Sequence, residues 1–401
     1  MKQIWSWHRR IGPAIILAAV VLGPGSITLS TIAGSRYSYR LLWVVVLATI
    51  FMTVFTLMSA RIGLASERSL LGAVRLRFGP IFAQAAGLFG FLSILAFQAG
   101  NTAAVGFSLD ALLGLNSKIG SLAMTLFAIA FLYTSGLYPK LETLVKIVVG
   151  FMLMTFLGTL ALVGIDSVSA IKGLIPVFPD NPSIFLALGM SATTFSIAAA
   201  AYQSYLIQEK KWENENSGKE ALVDSILGIS VLGCLSMVIL MTSAGVIAGT
   251  PEGEFSAQTM ARQLEPVAGP AAFYLFNLGF FFASFSSLIV NPLIGAALLM
   301  DGFNKDPRIG SKGIKGTSAV ILVCGMLVVA LFGSSPIALL RAAQSMAIVA
   351  FPVLGFFILR LSADKKLMGS SRNGIWLNTL GILGYTMIIG IVLNYLRTLF
   401  S

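Results

Sequence analysis

Eleven apolar segments follow one another along this chain, at about 12–33, 41–63, 83–110, 119–138, 141–164, 184–208, 220–248, 269–299, 316–333, 336–361 and 375–398. A bilayer-spanning helix needs about 20 apolar residues, and the hydrophilic joints left between these segments are short. The longest charged joint runs from Glu209 to Glu220, too short for a soluble domain. Only 11% of the residues are charged, against about 25% in soluble domains. The expectation is an all-α polytopic membrane protein forming one transmembrane domain over residues 1–401. Cys234 and Cys324 lie inside apolar runs, where they read as core packing and not as a disulfide or metal framework. The N-terminal stretch leads straight into a span too long for the apolar core of a cleavable signal peptide, so none is expected.

The net charge of +11 is explained by topology. With the N-terminus in the cytoplasm, 20 Lys and Arg residues fall at inner loops and span ends and 7 at outer ones, the bias of inner loops toward positive charge. An odd number of spans then puts the C-terminus outside. The basic surplus faces anionic lipid headgroups, so nucleic acid is not an expected partner. His8, the single histidine, stands beside Arg9 in the N-terminal tail and reads as a headgroup-level residue.

The first span is broken in its middle by Leu22-Gly23-Pro24-Gly25-Ser26. Proline removes an amide donor and glycine is a poor helix former. Lipid cannot satisfy the freed backbone groups, so they must be buried in protein or line a cavity. The sixth span reads as discontinuous too, with Ser191, Thr193, Thr194 and Ser196 clustered at its centre. Such hydroxyls bond to freed backbone. Spans one and six sit five apart, which suggests two five-helix repeats of opposite topology, about 11–165 and 182–362, with an extra helix at about 375–398. Paired broken helices are the pattern of a transport site in secondary transporters.

Several short motifs appear in a shared order. They are Gly12-Pro13, Pro24-Gly25, Gly34-Ser35, Tyr39-Arg40-Leu41-Leu42-Trp43, Ser59-Ala60-Arg61-Ile62-Gly63, Leu141-Glu142, Lys172-Gly173-Leu174-Ile175-Pro176, Gln263-Leu264-Glu265-Pro266, Met300-Asp301-Gly302-Phe303 and Asp364-Lys365-Lys366-Leu367-Met368-Gly369. In these the chain resembles the NRAMP family of proton-coupled divalent-metal transporters along most of its length. The resemblance implies the LeuT-type 5+5 inverted-repeat fold with discontinuous helices 1 and 6, a bacterial inner (plasma) membrane location, and a monomer. The family's first-helix signature, Asp-Pro-Gly-Asn, here reads Gly23-Pro24-Gly25-Ser26, and its sixth-helix Met-Pro-His falls on Ser196-Ile197-Ala198. A further family histidine falls on Gln203, and the third-helix acids of the proton path fall on Gly100 and Ala103.

A dication inside a membrane calls for compensating charge, and transition metals favour carboxylate, imidazole or sulfur donors. With those ligands gone, no metal ligand set is expected. The half-helix after Gly25 presents the positive end of its dipole and free amides at Ser26–Leu29. Ser26, Thr28, Thr194 and Ser196 add hydroxyls. The leading expectation is therefore a secondary transporter of a small anion, such as bicarbonate or a short carboxylate, bound by Gly23, Pro24, Gly25, Ser26, Thr28, Thr194, Ser196, Ile197, Ala198 and Gln203. One alternative is a divalent metal transporter (Mn, Fe or Mg) with an atypical site. Another is a carrier of a neutral or zwitterionic solute. A scaffold that kept the fold and lost its chemistry is a third, and would show bulky residues filling the site. Dipoles alone leave the sign of the ligand open, because opposing half-helix C-termini contribute negative ends. No cofactor is expected, and the coupling ion, Na+ or H+, is left open. Gln98, Asn101, Tyr202, Asn291 and Gln344 are further polar residues at membrane depth, where such groups usually bond between helices. Asp110, Asp224 and Arg341, near span ends, read as anchors or pairing partners. No nucleotide loop or intramembrane acid–base pair points to an enzyme.

Overall fold

Proline and glycine placement sets where the helices begin and stop. A computed structural model describes residues 12–210, 217–245, 265, 269–333 and 350–400. Pro13 opens α1, Pro13–Val21, and the amide of Leu22 still bonds back to Ala18 at 3.0 Å. Pro24 then has no amide to continue the ladder, and Gly23, in extended conformation, serves as the cap of a new helix. This is α2, Pro24–Tyr37, whose ladder resumes at Ile27 N–H to Gly23 C=O, 3.2 Å. The first span is thus two half-helices meeting at Leu22-Gly23. A 3-10 turn, Ser38–Leu41, leads into α3, Leu42–Ser66.

The later elements follow in order: α4 Leu70–Phe78, α5 Pro80–Leu113, α6 Ser117–Leu132, α7 Leu137–Val163, α8 Ser167–Lys172, α9 Asn181–Thr194, α10 Ile197–Lys210, α11 Ser217–Ala244, α12 Pro270–Gly302, α13 Lys312–Phe332, α14 Ala350–Ser362, α15 Lys365–Met368 and α16 Ile375–Phe400. No strand occurs among the described residues. Among the described residues, eight helical stretches are long and apolar enough to cross a membrane. The expected first, second, third, fourth, fifth, eighth and ninth spans all appear as helices, with ends shifted by a few residues. The end of the seventh and the first part of the tenth lie outside the described residues. So do His8, Arg341, Gln344 and most of the Gln263–Pro266 motif.

The sixth span is broken without a proline. Asp180 and Ser183 form a reciprocal capping box at the start of α9. At its end Phe195 leaves helical geometry (φ −96°, ψ 71°), and the ladder restarts at Ala200 N–H to Ser196 C=O, 2.9 Å. Thr193 donates to the carbonyls of Gly189 and Met190, and Ser191 to Ala187. These side chains compete locally for carbonyls near the point where the helix stops.

α12 forms the centre: 89% of its most apolar window is buried. It packs against α5, where Gly87 lets the backbones close up; a Cβ there would lie 2.5 Å from the Leu298 carbonyl. Pro292 interrupts α12 from within. Its missing amide releases the Leu288 carbonyl, and Gln98 of α5 donates Nε2–H to that oxygen at 3.3 Å. At the outer faces Leu331, Phe332 and Trp376 are 76%, 79% and 81% exposed, an apolar exterior suited to lipid. The molecule is an integral membrane protein.

α1 is held from below by charge. The carboxylate of Asp224 on α11 accepts from the amides of Gly12 (2.7 Å) and Ala14 (2.9 Å), two donors that a helix start leaves unpaired. Beside it Glu142 of α7 pairs with Lys146 and with Lys210 at the end of α10.

Candidate functional site

The two breaks face each other. Ser26 at the start of α2 and Thr194 at the end of α9 approach to 3.5 Å through their hydroxyl oxygens. Around this junction lies a cavity of about 50 Å³. Val20, Val21, Gly23, Gly25 and Ser26 line it from the first span. Ala192, Thr193, Ser196 and Ala198 line it from the sixth. The far wall comes from α5 (Ser93, Ile94, Phe97, Asn101), with Asn291 of α12 and Phe351 of α14.

Of the residues expected at the site, Gly23, Gly25, Ser26, Ser196 and Ala198 reach this cavity. Pro24 is buried at the break and sets the geometry. Thr28 and Ile197 are buried beside the lining but are not part of it, and Thr194 takes part through its contact with Ser26. Gln203 stands apart: it is fully buried on α10 and donates to Ser225 of α11 at 3.1 Å. A Cβ at Gly23 would meet Ser287 Oγ at 2.8 Å, so a side chain there would displace the hydroxyl that binds the Val20 carbonyl.

Ser93, Phe97 and Phe351 carried no sequence signal, being ordinary residues inside apolar runs. Asn291 carried one, an Asn-Pro step within a membrane helix. No lining residue among those described is titratable. No group of three or more His, Cys, Asp or Glu side chains placed to hold a metal occurs among the described residues.

Backbone polarity can be followed atom by atom. α2 has fewer free amides than its sequence suggested, since Pro24 has none and Ile27 already pairs with Gly23. The amides of Gly23, Gly25 and Ser26 remain there. At the sixth-span break Ser196 Oγ accepts from the amide of Ala199 at 3.4 Å, leaving the amides of Ser196, Ile197 and Ala198. On the carbonyl side, Ser286 and Ser287 of α12 donate to Ala19 (2.8 Å) and Val20 (3.0 Å). No hydrogen bond among the described residues reaches the carbonyls of Val21, Leu22, Ala192, Thr193, Thr194 or Phe195. Free carbonyl acceptors at the two breaks therefore equal the free amides, six of each. Both half-helix C-termini add their negative ends.

The family described as "Natural resistance-associated macrophage protein-like" matches residues 14–398 of this chain. The divalent metal cation transporter MntH of Chromohalobacter salexigens is 28% identical over 422 residues, covering 99% of this chain and 93% of that protein. Among solved structures, a point mutant of the manganese transporter of Eremococcus coleocola superposes with a TM-score of 0.84 at 18% identity, covering 98% of this chain and 87% of that one. MhsT in complex with L-phenylalanine superposes with a TM-score of 0.64 at 15% identity, covering 96% of this chain and 97% of that one. The fold is the LeuT-type inverted repeat, with discontinuous first and sixth helices.

The expectation of an anion site is overturned by these relatives, which are named as transporters of divalent metal cations and of manganese. The physical reason lies in the backbone at the breaks. The α2 ladder has already resumed at Ile27, so fewer amides are free than the Ser26–Leu29 expectation required. The free carbonyls at both breaks offer a cation as many donors as the amides offer an anion. Matched from residue 14 to residue 398, the chain belongs to the Nramp family of membrane transporters.

Proposed function

We propose that this protein is a secondary transporter of a divalent metal cation, held at the junction of the two broken helices by neutral oxygen donors. The observation that carries this reading is the set of free carbonyls at both breaks around a small cavity, in a chain whose relatives are named for moving divalent cations. Hydroxyl, carboxamide and carbonyl oxygens form a hard donor set, which suits Mg2+, Mn2+ or Ca2+ better than softer transition metals. Such ions keep several waters when carboxylates are scarce. The volume agrees: about 50 Å³ is room for an ion with part of its hydration shell.

The proposal extends to placement. The distribution of Lys and Arg supports a cytoplasmic N-terminus and an outer C-terminus in a bacterial plasma membrane, and the protein works as a monomer. Uptake of manganese and magnesium by proteoliposomes holding the purified protein tests the function. Uptake is expected for both ions, and Ser26→Leu, which fills the cavity, is expected to abolish it. A wild-type protein that moves neither ion overturns the reading.

A further inference from the structure

The wall of the cavity opposite the breaks carries two buried carboxamides that the family's motif positions do not include. Asn101 lies on α5 and Asn291 on α12; they are 5% and 6% exposed, and both line the cavity. Their positions are fixed by the proline in α12. Pro292 frees the Leu288 carbonyl, and Gln98 of α5 binds it, which ties the two helices together at this level. Three residues on from Gln98, Asn101 falls on the same face of α5 and reaches the cavity. Asn291, the residue before the proline, donates its Nδ2–H to the Ile94 carbonyl of α5 at 3.5 Å. That bond occupies the nitrogen end of the amide and leaves Oδ1 available.

Asn101 differs in having no hydrogen-bond partner among the described residues. Its amide opens onto the cavity, so its two donor hydrogens and carbonyl oxygen are there to be paired by whatever occupies that space. The neighbouring wall supplies no charge, so the carboxamide oxygens are the strongest neutral donors facing the breaks from that side.

We infer that Asn101 and Asn291 are direct ligands of the transported cation, supplying from α5 and α12 oxygen donors of the kind lost from the first and sixth helices. The inference rests on the proposed divalent-cation function and adds a specificity. A site closed by two amide oxygens on one side and backbone carbonyls on the other selects hard dications and offers no sulfur or imidazole to iron or zinc.

The test combines binding and flux on the full-length protein in lipid nanodiscs and proteoliposomes. Manganese binding is measured by titration calorimetry, and manganese and magnesium uptake by flux. Asn101→Ala and Asn291→Ala are each expected to weaken manganese binding and raise the KM at least roughly tenfold, the effect of about 1.4 kcal/mol. Asn101→Asp, nearly isosteric, is expected to tighten manganese binding roughly tenfold or more by adding a charge opposite the ion, which a purely structural role would not produce. Asn277→Ala is the control. Asn277 is equally buried on α12, bonds to Phe273 and does not line the cavity, so its KM is expected to stay at the wild-type value. Active wild type with unchanged affinity in Asn101→Ala and Asn101→Asp overturns this inference and leaves the transport function standing. Wild type that binds manganese with these ligand effects and yet moves none overturns the function alone. Wild type that neither binds nor moves metal overturns both.

Discussion

At the scale of single residues, this molecule is organised by where a side chain is absent. Gly34 on α2 sits so close to α11 that a Cβ would lie 2.2 Å from the Leu240 carbonyl and 3.0 Å from the Ala244 amide nitrogen. That neighbour is helix backbone and cannot rotate aside, so the half-helix itself must move. Gly150 on α7 is the counterpart, with nothing within 4 Å of its missing Cβ. Gly34→Ala is expected to destabilise by about 1–3 kcal/mol, the range for overpacking. Gly150→Ala is expected to be neutral or stabilising by up to about 1 kcal/mol, since alanine is the better helix former. Thermal unfolding in detergent, followed by size-exclusion recovery, distinguishes the two; equal midpoints would refute the close contact. The same scale explains why the sign of the site was not legible. Lost ligands at Gly23 and Ser196 are visible as letters, but the count of unpaired carbonyls is not. That count depends on the residue at which each half-helix resumes its ladder, Ile27 in one and Ala200 in the other.

At the scale of elements, the breaks and the proline of α12 do the positioning. The first break could be read directly, because Gly-Pro-Gly leaves the backbone no helical option. The sixth was readable only as a cluster of hydroxyls, since the residue that departs from helix is Phe195, which has no intrinsic tendency to do so. The short helices α4 and α8 escaped notice because they lie between spans and are too short to give a periodic signal. α4 is nonetheless an anchor: Arg75 donates to the backbone carbonyl of Asp301, and that carboxylate also accepts from Ser69 and Tyr205. The pairing of Gln98 with the carbonyl released by Pro292 yields a prediction about elements. Gln98→Leu strands the buried Leu288 carbonyl and is expected to cost about 1–3 kcal/mol. In a Pro292→Ala background the restored amide satisfies that carbonyl, so the cost of Gln98→Leu is expected to shrink. A double-mutant cycle on unfolding free energy is expected to give a coupling of about 1 kcal/mol. Simple additivity would mean that Gln98 does not serve the proline.

At the scale of the whole molecule, the question is what drives the ion. The expected third-helix acid positions are Gly100 and Ala103, and no described residue lining the cavity is titratable. The described lining therefore offers no group that could exchange a proton with a bound cation. It does not need one energetically. Moving one charge through 100 mV is worth about 2.3 kcal/mol, so a dication gains about 4.6 kcal/mol, a gradient of roughly 2,000-fold. The described lining is also neutral, so under the proposed function the ion carries its full double charge across the field. Manganese uptake into proteoliposomes is therefore expected to rise steeply with an inside-negative potential set by potassium and valinomycin. Its KM is expected to stay flat between about pH 6 and pH 8, a range in which no lining group changes charge. A pH-sensitive dye trapped inside the vesicles is expected to show no acidification coupled to metal entry. Protons entering in fixed ratio with manganese would instead place a titratable relay elsewhere in the fold and return the chain to the proton-coupled mode that the resemblance implied.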